Sequence, residues 1–364
     1  MSWDEVKLKD LGKIYTGSTP STTNDSYFGG EFPFITPSEL DLNEPIIQTP
    51  RTLTQAGVEV STLIPKDAVM VCCIGSLGKI GIAGRSMVTN QQINSIVFDK
   101  AKVDARYGFY ACRRLKSKLI SIAPATTVPI VNKTRFSELT IPLPSLAEQQ
   151  RIAAILDKAE LIKRKREFAI EKLDELAQSI FIEMFGNPDI NPKNFKEESL
   201  LEFFKFKTGK LDSNAASVDG IYPFFTCAKE DFFIDKYAFD EEALLLAGNN
   251  ANADYSVKHF KGKFNAYQRT YVINLADSRN SYIYAKDCLE FKLKELKHVS
   301  KGSSTKYLTM GIFKKMKLLV PPIELQQEYS SRILNLRQSK EIMLKDLSIC
   351  NALDDSIQNN FFNE

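Results

Sequence analysis

"PSLAEQQRIAAIL", Pro144 to Leu156, returns later in the chain as "PPIELQQEYSSRIL", Pro321 to Leu334. Both stretches place a proline, an acid and a Gln-Gln pair ahead of a periodic apolar run, the pattern of a helix entrance. Aligning Gln149-Gln150 with Gln326-Gln327 sets an offset of 177 residues, the difference between 326 and 149, and it holds without a gap over a long span. Phe136 falls on Phe313, Ser179-Ile180 on Ser356-Ile357, Phe185 on Phe362 and Gln91 on Gln268. Toward the N-terminus the offset changes: "YTG" (Tyr15 to Gly17) matches "KTG" (Lys207 to Gly209), and "FPFIT" (Phe32 to Thr36) matches "YPFFT" (Tyr222 to Thr226). The chain reads as a tandem duplication of a globular unit followed by a helix.

Ser145 and Glu148 have the S-x-x-E spacing of a capping box. No Pro or Gly then occurs until Gly186-Asn187-Pro188, which stops the helix. Apolar or small residues recur at Ile152, Ile155, Ala159, Ile162, Ala169, Leu173, Leu176 and Ile180, with a charged slot at Arg166, and this spacing predicts a coiled-coil seam. The second copy carries Tyr329, Ile333, Leu336, Met343, Leu347, Cys350, Leu353 and Ile357, with Pro322 where the first has its Ser cap. Helices of roughly 40 residues, ~60 Å long, need a partner in water. The two repeats are expected to supply each other as an antiparallel pair. Residues 1–144 and 188–321 are instead rich in β-branched and aromatic residues with Gly-containing turns. Strands are expected at Ala68 to Ile74, Asn94 to Phe98, Ala243 to Ala247 and Thr270 to Leu275, and helices at Ala105 to Ala123 and Ala285 to Lys297. The expected fold class is α+β: globular domains at 1–144 and 188–321, long spacer helices at 145–187 and 322–364.

At 364 residues the chain suits two to four domains. Net charge is only +3 from 48 basic and 45 acidic residues, so any nucleic-acid surface must be local. Six cysteines without a CxxC spacing, and two histidines, His259 and His298, argue against structural zinc and for a reduced, cytoplasmic setting. The charged start "MSWDEVKLKD" and the lack of a long apolar run fit a soluble protein.

Enzyme signals are thin. "GSLGKIG" (Gly75 to Gly81) lacks the spacing and the Ser/Thr of a phosphate loop and reads as a tight turn. "NPDI" (Asn187 to Ile190) has no aromatic fourth residue to stack on a flipped base and reads as a helix stop. Asp277 or Asp287 with Glu290 and Lys292 has metal-nuclease chemistry, but E-x-K is common in an amphipathic helix. Polar turns and strand ends are better candidates, because amides and guanidinium groups pair with base edges while Lys, Ser and Thr hold phosphate. In the first unit the candidate DNA-binding residues are Thr16, Ser18, Thr36, Ser76, Lys79, Asn90, Gln91, Gln92 and Lys133. In the second they are Lys207, Lys210, Asn249, Asn250, Lys258, Lys261, Gln268, Arg269, Ser303, Ser304 and Lys306.

With unit, helix, unit, helix in place, the chain resembles the DNA specificity subunit of a type I restriction-modification system over essentially its whole length. "IPLPSLAEQQRIAAILDKA" (Ile141 to Ala159), its echo at Val320 to Leu334, "VNKTRFSELTIPLP", "GSLGKIGIA" and "NQQIN" carry the resemblance. It implies a non-catalytic, DNA-binding subunit with two target-recognition domains, each reading half of a bipartite double-stranded target. It also implies paired helices that dock two methyltransferase subunits, with Gln149, Gln150, Gln326 and Gln327 at the docking entrances. The chain itself would hold no cofactor or metal. S-adenosylmethionine would sit on the methyltransferases, and ATP and magnesium on motor-nuclease subunits. The expected target is asymmetric, since Asn90-Gln91-Gln92 aligns with Tyr267-Gln268-Arg269. The competing expectations are a methylation-only or type II-like system, a coiled-coil scaffold that joins protein-binding domains without touching DNA, and an autonomous nuclease.

Overall fold

The computed structural model describes residues 3–124, 128–228, 230, 232–250, 255–299 and 306–362, with the backbone alone at 250, 294–299 and 306. Two units form: Met1–Glu167 with Lys345–Glu364, and Phe168–Leu344. Both combine helices and antiparallel-rich sheets, the α+β class expected.

The first unit contains β1 (Glu5–Lys7), α1 (Leu8–Leu11), β2 (Gly12–Thr16), β3 (Phe28–Ile35), β4 (Thr52–Leu53), α2 (Gln55–Glu59), β5 (Leu63–Ile64), β6 (Val69–Cys72), β7 (Ile80–Ile82), β8 (Met87–Thr89) and β9 (Ile93–Phe98). There follow α3 (Ala105–Arg113), α4 (Lys116–Ile122), α5 (Lys133–Ser137), β10 (Thr140–Pro142) and the start of α6 (Leu146–Phe185). One sheet has the order β2-β9-β6-β7, a second β4-β3-β8-β5, and β1 pairs with β10.

The second unit continues α6 and adds β11 (Lys196–Ser199), α7 (Leu200–Phe203), β12 (Phe204–Thr208), β13 (Tyr222–Phe225), β14 (Phe232–Ile234), β15 (Phe239–Ala247), β16 (Asn249–Asn250), β17 (Val257–Ala266) and β18 (Thr270–Leu275). It closes with α8 (Tyr282–Val299), β19 (Lys306–Tyr307), α9 (Met310–Phe313), β20 (Lys317–Val320) and the start of α10 (Ile323–Phe362). Its six-stranded sheet runs β12-β18-β15-β17-β13-β14.

Strand register reproduces the sequence repeat. Gly12 opposite Phe98 through Thr16 opposite Asn94 recurs as Phe204 opposite Leu275 through Thr208 opposite Tyr271. The parallel pairing of Phe34 with Val88 recurs as Phe224 with Asn265. A one-residue slip would turn each strand's apolar set outward, so a buried face pins the register in both copies. The second copy runs straight through β17, whereas the first breaks at Ala83–Ser86 into β7 and β8. On the open face of β17, Lys261 lies opposite Glu242 and Lys263 opposite Asp240.

Two buried tyrosines behind the sheets are equivalent: Tyr107 Oη donates to Pro142 O at 2.7 Å, and Tyr284 Oη to Leu319 O at 2.8 Å. The expected helix from Ala105 to Ala123 is two helices, because Arg114 and Leu115 amides bond three residues back, to Ala111 and Cys112, and tighten the turn. This sends Leu115 and Leu119 into the core.

Each long helix has 40 residues and passes from one unit into the other. Within the first unit the segments run antiparallel: Arg151 stacks over Phe361, and Arg166 donates to Asp346 O and Cys350 Sγ. Within the second, Asp174 pairs with Lys340 at 2.6 Å, and Phe181 packs edge-on to Tyr329 with centroids 5.7 Å apart. Phe185 adds ring contacts with Tyr284 at 4.6 Å and Tyr329 at 5.1 Å, each worth ~0.5–1.5 kcal/mol beyond area burial.

The expected seam needs correction at three places. Ile162, Leu176 and Leu353 are 40%, 45% and 57% exposed, and half-buried Lys163, Ala177 and Asp354 face inward beside them. A 3.6-residue helix drifts from a strict 3.5-residue seam, so the inward face rotates along the sequence. The capping box is also only half made. Ser145 Oγ accepts from Glu148 N at 3.4 Å, but the Glu148 carboxylate takes Arg151 at 2.6 and 2.8 Å instead of reaching back.

Two of the four glutamines expected at docking entrances are buried instead. Gln149 and Gln326 are 0% exposed. Gln149 Oε1 accepts from Asp104 N at 2.8 Å, and its Nε2 donates to Lys102 O at 2.9 Å and Pro144 O at 2.8 Å. Gln326 Oε1 accepts from Ser281 N at 3.0 Å, and its Nε2 donates to Asn280 Oδ1 at 2.8 Å and Pro321 O at 2.9 Å. Burying an amide is tolerable only with its donors and acceptor used, and here they are used inside the unit. Gln150 and Gln327 are exposed.

The single tryptophan, Trp3, packs against the first unit's core and reports on that unit. Tyr107→Phe strands the Pro142 carbonyl, and urea unfolding followed by Trp3 fluorescence is expected to show a loss of ~1–2 kcal/mol. Asp354 faces Glu160, Lys163, Arg113 and Gln358; burial first, and Glu160 with it, push its carboxyl above the usual range, against the opposing pull of the other three. A raised folded pKa means stability that is full below the unfolded value and is lost as pH climbs through the raised one. Asp354→Asn is therefore expected to stabilise at neutral pH, with the gain vanishing below about pH 4, the ordinary Asp range.

Candidate nucleic-acid interface

In the first unit, turns at one end of the two four-stranded sheets come together. Ser18 N donates to Thr89 O, Asn90 N to Ile35 O and Cys73 N to Gln92 O, so the segments around residues 16–19, 35–39, 73–79 and 89–92 adjoin. The β ladders set this arrangement, since each segment continues from the end of a paired strand. Gly75 and Gly78 have φ of 76° and 77°, and a Cβ on Gly78 would stand 2.5 Å from the Lys116 side chain. The glycines make a tight turn beside α4, as expected, and Lys79 of that turn donates to Pro37 O at 3.3 Å and faces Asp41 at 3.9 Å.

Several of the sequence candidates hold this frame together. Asn90 is 8% exposed; its Oδ1 accepts from Gln92 N and its Nδ2 donates to Gln92 Oε1. It is corrected from a base reader to a turn brace, with Gln92 half-buried against it. Thr16 donates to Asn94 Oδ1 at 2.8 Å, and Ser18 Oγ accepts from Thr62 N at 2.9 Å. Thr36 and Ser38 donate to Glu39; burial opposes ionisation of Glu39, but these donors outweigh it and hold its carboxyl below the usual range. Thr36 therefore serves a carboxylate that would repel phosphate. Gln91 and Ser76 are exposed, Gln91 accepting from Thr19. Lys133 is exposed on the first turn of α5, just past the bridge between Ile74 and Ile130.

The second unit builds the equivalent edge. Gly248 N donates to Arg269 O, Gln268 N to Leu211 O and Tyr267 N to Phe225 O. Gln268 and Arg269 are exposed; Gln268 Nε2 reaches Asp212 Oδ2 at 3.3 Å, and the Arg269 guanidinium lies 5.9 Å from the Tyr307 ring centroid. Asn249 pairs in the ladder with Tyr307, where the first unit has Ile74 with Ile130, and its Oδ1 is buried without a hydrogen-bond partner among the described residues. Lys210 is exposed next to Leu211, and Lys258 approaches the Phe225 ring at 5.8 Å. The backbones of Asn250 and Lys306 pair, while Ser303 and Ser304 lie outside the described residues.

Two of the candidate lysines are matched by carboxylates. Lys207 pairs with Glu241 at 3.0 Å and Lys261 with Glu242 at 3.1 Å. Burial works against ionisation of Glu242, but the His259 and Lys261 donors prevail and lower its pKa. The candidates drawn from the sequence leave out Thr19 and Asp212, which hydrogen-bond Gln91 and Gln268. Asp212 enters only through the bridge between Leu211 and Tyr267.

The nuclease candidates do not assemble. Asp287 is taken by Arg337 and Tyr329, Glu290 by Lys286 and Val257 N, and Lys292 by Asp189. Arg279 grips Asp277 and holds its carboxyl at about 2. Among the described residues no group of three or more His, Cys, Asp or Glu is arranged to hold a metal ion, and no helix is long and apolar enough to cross a membrane.

Comparison with known proteins agrees with this architecture. The chain is 26% identical over 397 residues to the type I restriction enzyme MjaIX specificity subunit of Methanocaldococcus jannaschii, covering 94% of this chain and 89% of that protein. It is 42% identical over 130 residues to the EcoDI specificity subunit of Escherichia coli, covering 36% of this chain and 28% of that one. The fold matches the crystal structure of the type I restriction-modification S subunit from M. genitalium with a TM-score of 0.68, at 16% identity, over 100% of this chain and 97% of that one. The family model described as the type I restriction modification DNA specificity domain matches residues 1–172 and 192–347, and the chain therefore belongs to the family of type I DNA specificity subunits.

Proposed function

We propose that this chain is a non-catalytic subunit that reads an asymmetric, bipartite double-stranded DNA target and positions methyltransferase subunits on it. The domains at 1–144 and 188–321 each read one half-site, and the helices at 145–187 and 322–364 act as stiff spacers and docking elements. Two methyltransferases bring S-adenosylmethionine, and motor-nuclease subunits, where present, bring ATP and magnesium; the chain works in the cytoplasm.

One observation carries this reading. The strand ladders of the two units repeat in register, while the corresponding turns at their strand ends differ, Asn90-Gln91-Gln92 in one and Tyr267-Gln268-Arg269 in the other. Like frames with unlike edges suit half-sites of unlike sequence. The near-neutral net charge of +3 agrees with local contacts over a bulk cationic surface.

Co-expression with candidate methyltransferases, followed by mapping of N6-methyladenine, is expected to return one two-part motif with different halves. A palindrome, or methylation indifferent to this chain, overturns the proposal. Gln268→Ala and Arg269→Ala are each expected to weaken specific binding by ~1–3 kcal/mol and to relax only the second half-site. Lys207→Ala and Lys261→Ala, whose charges are already matched by Glu241 and Glu242, are expected to change affinity by less than ~1 kcal/mol, as read by titration of labelled target duplex.

A further inference from the structure

Each long helix enters its unit through a fully buried amide that grips three backbone neighbourhoods at once. Gln149 joins α6 to the N-cap of α3 at Asp104, to the loop leaving β9 at Lys102, and to the entrance proline Pro144. Gln326 joins α10 to Ser281, ahead of α8, to Asn280 in the loop leaving β18, and to Pro321. Asp104 and Ser281, Pro144 and Pro321, Gln149 and Gln326 are all 177 residues apart. Two of the three bonds are thus the same in both repeats, and the third goes to a backbone oxygen at Lys102 in one and to the Asn280 side chain in the other, although the strand-end turns differ throughout.

Apolar packing is non-directional and would let a helix settle at several tilts, whereas a planar amide with one acceptor and two donors engaged admits one. Leverage makes the tilt matter. Over 20 residues, ~30 Å of helix, a change of about 7° moves the far end by about 3.5 Å, close to one base-pair step. We infer that Gln149 and Gln326 are positioning residues for target spacing: they set the angle at which each long helix leaves the sheet of its own unit, and through it the spacer length accepted between half-sites. The inference rests on the bipartite reading proposed above.

The test measures methylation by the co-expressed complex on targets carrying the native spacer and spacers one base pair longer or shorter. Gln149→Leu and Gln326→Leu are each expected to raise the off-length to native ratio by about tenfold, equivalent to about 1.4 kcal/mol. Ile152→Ala trims a buried residue of the same helix face and leaves the amide in place. It is expected to lower thermal stability without moving that ratio. If both glutamine variants lose stability yet keep the unmodified spacer ratio, they are merely structural and the inference fails. Should Leu prevent folding, Gln149→Met and Gln326→Met carry the same test. Hydrogen exchange on the unmodified chain gives a second readout: the Asp104 and Ser281 amides are expected to be protected, and rapid exchange at both would overturn the joint. If the unmodified chain directs no bipartite methylation at all, the functional reading fails and takes this inference with it.

Discussion

A buried side-chain amide at the foot of each long helix is the constraint on which the rest of the structure depends. A 40-residue helix with charged residues on most of its surface has start and stop signals of its own but little intrinsic reason to take one tilt against its unit. Gln149 and Gln326 supply that reason, because an amide removed from water must find an acceptor for each N–H and a donor for its oxygen. Only one seating of the helix against the strand-to-helix loop does so. The tyrosine bonds from Tyr107 to Pro142 and from Tyr284 to Leu319 brace the short edge strands of the same region, so the mount of each unit is held by directional bonds as well as by its apolar core.

Above that mount the chain is free to vary. Backbone ladders hold the sheets whatever side chains stand at the turns, so Ile74 with Ile130 in one unit becomes Asn249 with Tyr307 in the other without loss of pairing. The turns also contain their own braces. Thr16 and Ser18 spend their hydroxyls on neighbouring segments, and Asn90 and Thr36 spend their polar groups within their own turns. This leaves a smaller outward set, with Ser76, Gln91 and Lys133 in one unit and Lys210, Gln268 and Arg269 in the other. In the proposed reading, specificity resides in that smaller set and in how the braces aim it.

Within each unit the helix segments meet through a mixed seam. Arg166 with Cys350 and Asp346, and Asp174 with Lys340, stand among residues such as Phe181 and Tyr329. Half-buried polar pairs add little net stability, yet they disfavour sliding, because a shifted helix would leave charges unpaired. The carboxylates that looked available for metal chemistry are also engaged: Asp287 holds Arg337 of α10, and Glu290 pairs with Lys286 one turn back along α8.

The sequence by itself determined the duplication, the two long helices, the α+β class and the strands at the sheet centre, Thr270–Leu275 among them, because apolar periodicity and an exact offset are properties of the chain order alone. It misread Ile162, Leu176 and Leu353 as inward because a heptad count ignores the rotation of a real helix. It misread Gln149, Gln326 and Asn90 as surface contacts because a polar side chain gives no sign of which backbone groups will surround it. Only the tertiary structure decided that, by bringing Asp104 to Gln149 and Ser281 to Gln326 across about 45 residues of chain. Burial and hydrogen-bond satisfaction depend on segments distant in sequence, so whether an amide becomes an anchor or a reader is settled only when those segments meet.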